Sequence, residues 1–282
     1  MTLEQLIQKT ERKLRAARLH YGHGTDNPRD EAAFLVLRGL KFPFDADLSA
    51  DVDPKRVDQL LKRRIKKHIP AAYLLNEAWL DGMSFYVDRR VIIPRSHIAF
   101  VLKDLRIAPR RILDICTGSG CLAILAARAF PRAQVDASDI SRAALAVAAR
   151  NIGTHRLKRR VRLIRSDLFG SIRGRYDLIT CNPPYVSTPS MRALPREYRY
   201  EPGIALSGGR QGLDYIARIL DESMRFLNRG GLLVCEVGDN KPALERAYPR
   251  TPFIWPLPQV FMLAPSRTAG ASRRRPRRAR GT

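Results

Sequence analysis

The sequence predicts an α/β fold: a mostly parallel sheet covered by helices, behind a small helical N-terminal domain and a linking β-hairpin. Three observations predict it. From Pro94 onward, short apolar runs alternate with helix-period patterns, the spacing of right-handed crossovers between parallel strands. Apolar positions in the first 75 residues follow the helical period. Residues 79–94 switch to an alternating pattern instead.

Taken in order, Leu3, Leu6, Ile7, Thr10 and Leu14 share one helical face. Asn27-Pro28 offers a cap and a first-turn proline, and Asp30 and Glu31 suit the positive end of a helix over 32–40. Asp53-Pro54 repeats that signal ahead of Val57, Leu60, Leu61 and Ile65. Phe85, Val87, Val91 and Ile93, around Asp88-Arg89-Arg90, read as a hairpin between two domains. Strands follow at 111–116, 133–138, 161–165, 176–181 and 232–237, with helices over 120–130, from Ser141 to Asn151, and over 214–227. Residues 253–255 and 260–263 add two edge strands. The expected division is a helical domain over 1–77, a hairpin linker over 78–94, a sheet domain over 95–265 and a basic tail over 266–282, disordered by composition.

Composition narrows the function classes. The 282 residues are 45% hydrophobic and contain 4 Cys, enough for a sizeable core and too few for a disulfide scaffold. Cys116, Cys121, Cys181 and Cys235 lack Cys-x-x-Cys spacing and read as buried reduced thiols, with no metal site expected. No stretch approaches the ~18 apolar residues of a membrane span, and charge runs through the first fifteen residues. The expectation is a soluble cytoplasmic protein.

Lys plus Arg number 51 against 27 Asp plus Glu, a net charge of +24. Seven of those arginines lie between Arg267 and Arg280, so +17 of the charge belongs to residues 1–266. A field of that size draws polyanions. Lys62-Arg63-Arg64-Ile65-Lys66-Lys67 and residues 156–165 concentrate it. Nucleic acid, or something bound to it, is the expected partner.

Thr117-Gly118-Ser119-Gly120 follows the first strand of the sheet and opens a helix. Glycines there let backbone N–H groups approach a ligand whose negative end the helix terminus favours. Asp139, at the end of the next strand, is placed to bond ribose hydroxyls. The run Gly118-Ser119-Gly120-Cys121-Leu122-Ala123 also satisfies the dinucleotide pattern. By itself the loop fits a nicotinamide cofactor as well as S-adenosylmethionine.

Asn182-Pro183-Pro184-Tyr185 lies just past the strand at 176–181, at the carboxyl edge of the sheet. Two prolines pin the backbone and leave carbonyl oxygens free to accept. Asn182 adds a further acceptor and Tyr185 a flat wall, an arrangement suited to a planar –NH2 group. Holding both hydrogens of an amide on acceptors favours the pyramidal nitrogen that develops during transfer. No strong base is needed first, because the proton acidifies only after the new bond forms.

Asp114-x-x-Thr-Gly-Ser-Gly, Asp139-Ile-Ser, Ser166-Asp167-Leu168-Phe169 and Asn182-Pro-Pro-Tyr, in this order, resemble the glutamine N5-methyltransferases that modify translation proteins. One branch acts on peptide-chain release factors and the other on the third protein of the large ribosomal subunit. His20-Tyr21-Gly22-His23-Gly24-Thr25-Asp26-Asn27-Pro28, with Asp30-Glu31-Ala32, resembles the ribosomal-protein branch. So does Met191-x-x-Leu194-Pro195-x-Glu197-Tyr198-x-x-Glu201-Pro202. The two histidines read as a loop between helices and not as metal ligands.

The resemblance implies a class I, Rossmann-like S-adenosylmethionine-dependent methyltransferase. It implies that Cys116, Thr117, Gly118, Ser119 and Gly120 wrap the methionine part of the cofactor, with Asp114 in the same site. Asp139 would bind the ribose and Leu168 would lie against the adenine. Asn182 and the Pro183 carbonyl would hold the glutamine amide, with Pro184 beside them and Tyr185 packed on it. The helical domain would grip a large-subunit ribosomal protein, and the basic surface and tail would contact ribosomal RNA or the assembling particle.

This chain departs from the family at His97 and Phe100, where the pattern has Pro and Glu. It also has only a short connection, Trp255 to Val260, where a Gly-rich turn usually joins the last strands. Two rivals remain, one that keeps the methyl chemistry and changes the acceptor and one that is not an enzyme. Amino-methylating DNA enzymes share an Asn/Asp-Pro-Pro-aromatic motif but usually carry a module that reads sequence and room to flip a base. An inactive, basic RNA-binding protein would keep the fold without the transfer.

Overall fold

The computed structural model describes residues 1–265; the arginine tail lies outside them. Helix α1 (Leu3–Ala16) opens with a reciprocal cap, in which Gln5 N donates to Thr2 Oγ1 and Thr2 N donates to Gln5 Oε1. Helix α2 (Pro28–Gly39) starts where Asn27 Oδ1 accepts from Arg29 N and Asp30 N, both at 3.0 Å. Helix α3 (Lys55–Lys67) buries Val57, Leu60, Leu61 and, unusually, Arg64. The short α4 (Ala71–Leu75) completes the helical part.

The hairpin forms earlier than the sequence reading places it. Strands β1 (Ala78–Leu80) and β2 (Met83–Phe85) pair with Leu80 opposite Met83. Asp81 and Gly82 supply the two positive φ angles, 53° and 72°, that a two-residue hairpin turn requires. Around Asp88 there is only a turn, Val91 N donating to Asp88 O at 3.1 Å. Val87, Val91 and Ile93 are buried with Leu14, Leu35 and Leu61 of the helical part and Ala144 and Val147 beyond it. Their alternation records burial between two layers, not strand pairing.

After α5 (Ile98–Asp104) come β3 (Arg111–Ile115), α6 (Cys121–Ala129), β4 (Gln134–Asp139), α7 (Arg142–Thr154), β5 (Val161–Arg165) and β6 (Tyr176–Cys181). The chain continues through α8 (Thr188–Ala193), α9 (Asp214–Phe226), β7 (Leu227–Glu236), α10 (Lys241–Ala247), β8 (Ile254–Leu257) and β9 (Val260–Leu263). The sheet order is β5-β4-β3-β6-β7-β9-β8, parallel through β7 and antiparallel beyond. The short connection therefore suffices: Leu257 pairs with Val260, and β9 inserts between β7 and β8.

One apolar cluster joins α5 and α6 to Ile112, Val135 and Leu178. Another joins α9 and α10 to Leu113, Ile179 and Leu233. Alternate residues of the same strands thus feed both faces, which is why these strands read as continuous apolar runs. Connections leave β3 and β6 toward opposite sides of the sheet. The crevice at their carboxyl ends is the place where such sheets bind ligands.

Candidate active site

The loop after β3 is held from below by Asp114. This fully buried carboxylate accepts from Thr117 Oγ1 at 2.6 Å and from Thr180 Oγ1 on β6 at 2.7 Å. Burial pushes its pKa up to about 6, against those hydrogen bonds. Asn151 Nδ2 donates to Ser119 O at 2.9 Å and to Tyr86 O at 3.0 Å, which fastens the same loop to the linker and α7. Gly118 has a φ of 54° and, at its Cβ position, no atom within 4 Å; the backbone here faces open space.

Asp139 ends β4 with both oxygens engaged. Oδ2 accepts from Gly118 N and Oδ1 from Ser141 N, each at 2.9 Å. Burial raises its pKa, opposed by those two donors. The carboxylate is thereby fixed beside a cavity of about 710 Å³ that Cys116, Gly118, Asp139, Leu168, Asn182 and Pro184 line.

A second cavity, about 520 Å³, is lined by Arg95, Asn182, Pro183, Tyr185, Tyr198 and Leu206. Asn182 belongs to both walls. Among the described residues, its side-chain amide makes no hydrogen bond and the Pro183 carbonyl accepts none. Both acceptors are available.

Tyr185 is anchored from the other side. Its hydroxyl donates to Glu236 Oε1 at 3.2 Å, and Asn240 Nδ2 donates to its carbonyl at 2.7 Å. Burial and the Glu236 charge push the phenol pKa up, so it stays neutral. Glu236 Oε2 also accepts from Ser96 Oγ at 2.5 Å and His97 N at 3.0 Å. The ring packs so closely that a Cβ on Gly238 would fall 2.6 Å from Tyr185 Cε2.

Residues 194–206 cover the second cavity, clamped by two buried ion pairs. Arg64, 1% exposed, reaches Glu31 Oε1 at 2.6 Å, Glu197 Oε1 at 3.0 Å and His20 O at 2.8 Å. Arg95 forks onto Glu201 at 2.6 and 2.8 Å, and Ile93 N donates to the same carboxylate at 2.9 Å. Bidentate pairs of this kind fix geometry as well as charge.

Of the site residues read from sequence, Cys116, Gly118, Asp139, Leu168 and Asn182 line the first cavity, and Asn182, Pro183 and Tyr185 the second. Asp114, Thr117, Ser119 and Gly120 lie outside both linings and shape the loop from behind. Pro184 faces the first cavity and not the acceptor side. Sequence reasoning missed Glu236, Ser96, Arg95 and Asn151. Glu236 alone had a signal, a carboxylate closing an apolar strand; the others serve through contacts that no spacing encodes.

Residues 98–193 match the model of the methyltransferase small domain family. The chain is 49% identical to the ribosomal protein uL3 glutamine methyltransferase of Bordetella pertussis over 269 residues, covering 90% of each chain. It is 45% identical to that of Neisseria meningitidis serogroup B, covering 90% of this chain and 88% of the relative. The catalytic domain of hMettl16, solved with a MAT2A 3′UTR hairpin, shares the fold. The TM-score there is 0.51 at 14% identity, covering 75% of this chain and 82% of that one. With relatives this similar along nearly the whole sequence, and with the motif residues gathered at one sheet edge, the chain belongs to the ribosomal protein uL3 glutamine methyltransferase family.

Proposed function

We propose that this protein transfers a methyl group from S-adenosylmethionine to the side-chain amide N5 of a glutamine in ribosomal protein uL3. The observation that carries the reading is that Asn182, with Ile92 and Ala205 beside it, lines two cavities of different character. One is shaped for a nucleoside: Asp139 would take the ribose hydroxyls, Leu168 the adenine, and the 116–118 backbone the methionine end. When bound, the cofactor supplies an electrophilic methyl carbon on a sulfonium. In the other cavity, Asn182 Oδ1 and the Pro183 carbonyl accept the two amide hydrogens and aim the nitrogen across the shared wall. Tyr185 packs on the amide plane, and its hydroxyl stays committed to Glu236. Orientation and a held lone pair carry the reaction; the proton departs to solvent once the nitrogen bears four bonds.

Residues 1–77 act as the substrate-recognition domain, 78–94 as the linker and 95–265 as the catalytic domain. RNA of the assembling particle is a further partner. On α3 Lys55, Arg56, Lys62, Arg63, Lys66 and Lys67 are exposed, against one acid of that helix, Asp58, which is paired with Lys9 and Lys13 of α1. The protein works in the cytoplasm, where ribosomal proteins are modified; among the described residues no helix is long and apolar enough to cross a membrane.

The test is mass spectrometry of uL3 after incubation with cofactor and enzyme, with release factor as a competing acceptor. A methyl mass shift on a uL3 glutamine that Asn182→Ala abolishes supports the reading. Modification of release factor alone, or of neither protein, overturns it.

A further inference from the structure

A glutamine amide has two ends. Asn182 Oδ1 and the Pro183 carbonyl serve the nitrogen, and the oxygen needs a donor, because burying it without one costs about 1–3 kcal/mol. Most polar hydrogens lining the acceptor cavity are spent within the protein. Tyr185 gives its hydroxyl to Glu236, Val186 N donates to Leu206 O at 2.8 Å, and Leu206 N donates to Gly203 O at 3.1 Å. Arg95 commits both Nη atoms to Glu201, and Nη1 to Ile93 O as well.

Tyr198 differs. It lines the same cavity, half-buried, and among the described residues its hydroxyl makes no hydrogen bond. That oxygen also keeps accessible surface. The ring itself is clamped: the His20 and His23 rings lie 5.6 and 4.4 Å from it, and the Arg95 guanidinium lies 5.5 Å from its centre. Burial foremost, and then charges that include the Tyr198 phenol, raise the pKa of Tyr185, and Arg95 feels both phenols. The two hydroxyls therefore share the space that Arg95 borders. Burial also raises the Tyr198 pKa, against the Arg95 charge, so this hydroxyl keeps its proton.

We propose that the Tyr198 hydroxyl donates to the side-chain carbonyl of the target glutamine and so fixes which end of the amide faces the cofactor cavity. The inference rests on the glutamine-transfer reading above and adds a specificity-determining residue to it. The cavity then meets the whole amide, with acceptors at the nitrogen and a donor at the oxygen. A flipped amide would set its oxygen against Asn182 Oδ1 and the Pro183 carbonyl. A glutamate would set a carboxylate oxygen there, acceptor against acceptor in both cases. A neutral phenol also suits the transfer better than a cation, which would draw the nitrogen lone pair further into the carbonyl. The Arg95 charge is spent on Glu201.

The test is a double-mutant cycle between enzyme and acceptor, read as calorimetric binding of uL3 to the full chain. Tyr198→Phe removes one oxygen and keeps the ring beside His23 and Arg95. In the acceptor, the glutamine that the unsubstituted chain methylates, located by mass spectrometry, is replaced by methionine, which keeps the length and lacks the carbonyl. The preference for the glutamine acceptor over the methionine one is expected to fall about five-fold or more in Tyr198→Phe. Cofactor affinity and the unfolding temperature should stay as in the unsubstituted chain. A merely structural role would weaken both acceptors alike and leave the preference intact. That outcome, or an unchanged affinity for both acceptors, overturns the proposal while methyl transfer by the unsubstituted chain upholds the glutamine reading. No transfer to uL3 by the unsubstituted chain overturns both.

Discussion

Tyr185 and Glu236 are joined by a 3.2 Å hydrogen bond from the end of the acceptor motif to the end of β7. The same carboxylate takes Ser96 Oγ and His97 N, so three segments converge on one buried group. Tyr185→Phe removes one donor and leaves the other two. The expected outcome is a two- to ten-fold loss of kcat with little change in cofactor affinity, because the ring loses its anchor and not its place. Glu236→Leu strands the Ser96 and Tyr185 hydroxyls and the His97 amide, at about 1–3 kcal/mol for each unsatisfied group. Thermal denaturation with single-turnover rates checks both.

Asp139→Asn tests the cofactor cavity. The carboxamide keeps one acceptor for Gly118 N or Ser141 N but presents an –NH2 where the second had an acceptor. A lost charge-assisted hydrogen bond is worth about 1.5–3 kcal/mol. Calorimetric titration is expected to show affinity for S-adenosylmethionine falling ten-fold or more. Binding unchanged in this variant would move the ribose elsewhere.

Much of this was legible in the sequence because it depends on local period and local chemistry. The strands at 161–165 and 176–181 lie where their apolar runs place them, and the caps at Asn27 and Ser141 form as read. What escaped depends on which distant groups meet. Val87, Val91 and Ile93 alternate like a strand yet are buried between helical layers. Arg64 sits in a basic run that reads as solvated, and it became a buried ion only through Glu31 and Glu197, 33 and 133 residues away. Asp114 belongs to the loop motif, but its two threonine partners turn it away from the cavity and into the sheet.

Asp114 also sets a pH dependence. Its pKa is raised from the usual carboxylate range to about 6 by burial, so the folded state holds this proton more tightly than the unfolded chain. Its contribution to stability is therefore greatest below pH 4 and is lost as pH rises toward and through 6. The expected size over that window is about 2–3 kcal/mol. Asp114→Asn removes the titration, so acidification from pH 6.5 to 4.5 should lower the unfolding midpoint further in the variant than in the unsubstituted protein. Equal shifts in the two proteins would refute the assignment.

The Arg64 clamp makes a sharper claim about coupling between the helical part and the acceptor cover. Arg64→Met leaves Glu31 and Glu197 buried without their cation, at an expected cost of about 3–5 kcal/mol. Glu197→Gln keeps the buried shape with one charge fewer, and should cost less while loosening residues 194–206. Hydrogen exchange is the discriminating measurement. In Glu197→Gln, amides of 198–208 should exchange faster while those of β3 and β4 stay protected.

The basic face of α3 can be separated from the fold by its salt dependence. Val57, Leu60 and Leu61 point inward, and Lys62, Arg63 and Lys66 are exposed. Replacing these three cations with alanine therefore leaves the core intact, and stability should stay within about 0.5 kcal/mol. Each phosphate contact on single-stranded RNA contributes about 0.7 to the slope of log affinity against log salt. Loss of three contacts should flatten that slope by about 2. At physiological salt the binding of an RNA oligonucleotide should weaken, while methylation of free uL3 at high salt proceeds as before. If the slope does not change, the stripe is a solvated surface and RNA is held elsewhere. A steeper effect on free uL3 than on RNA would mean that the cations face an acidic stretch of the protein acceptor.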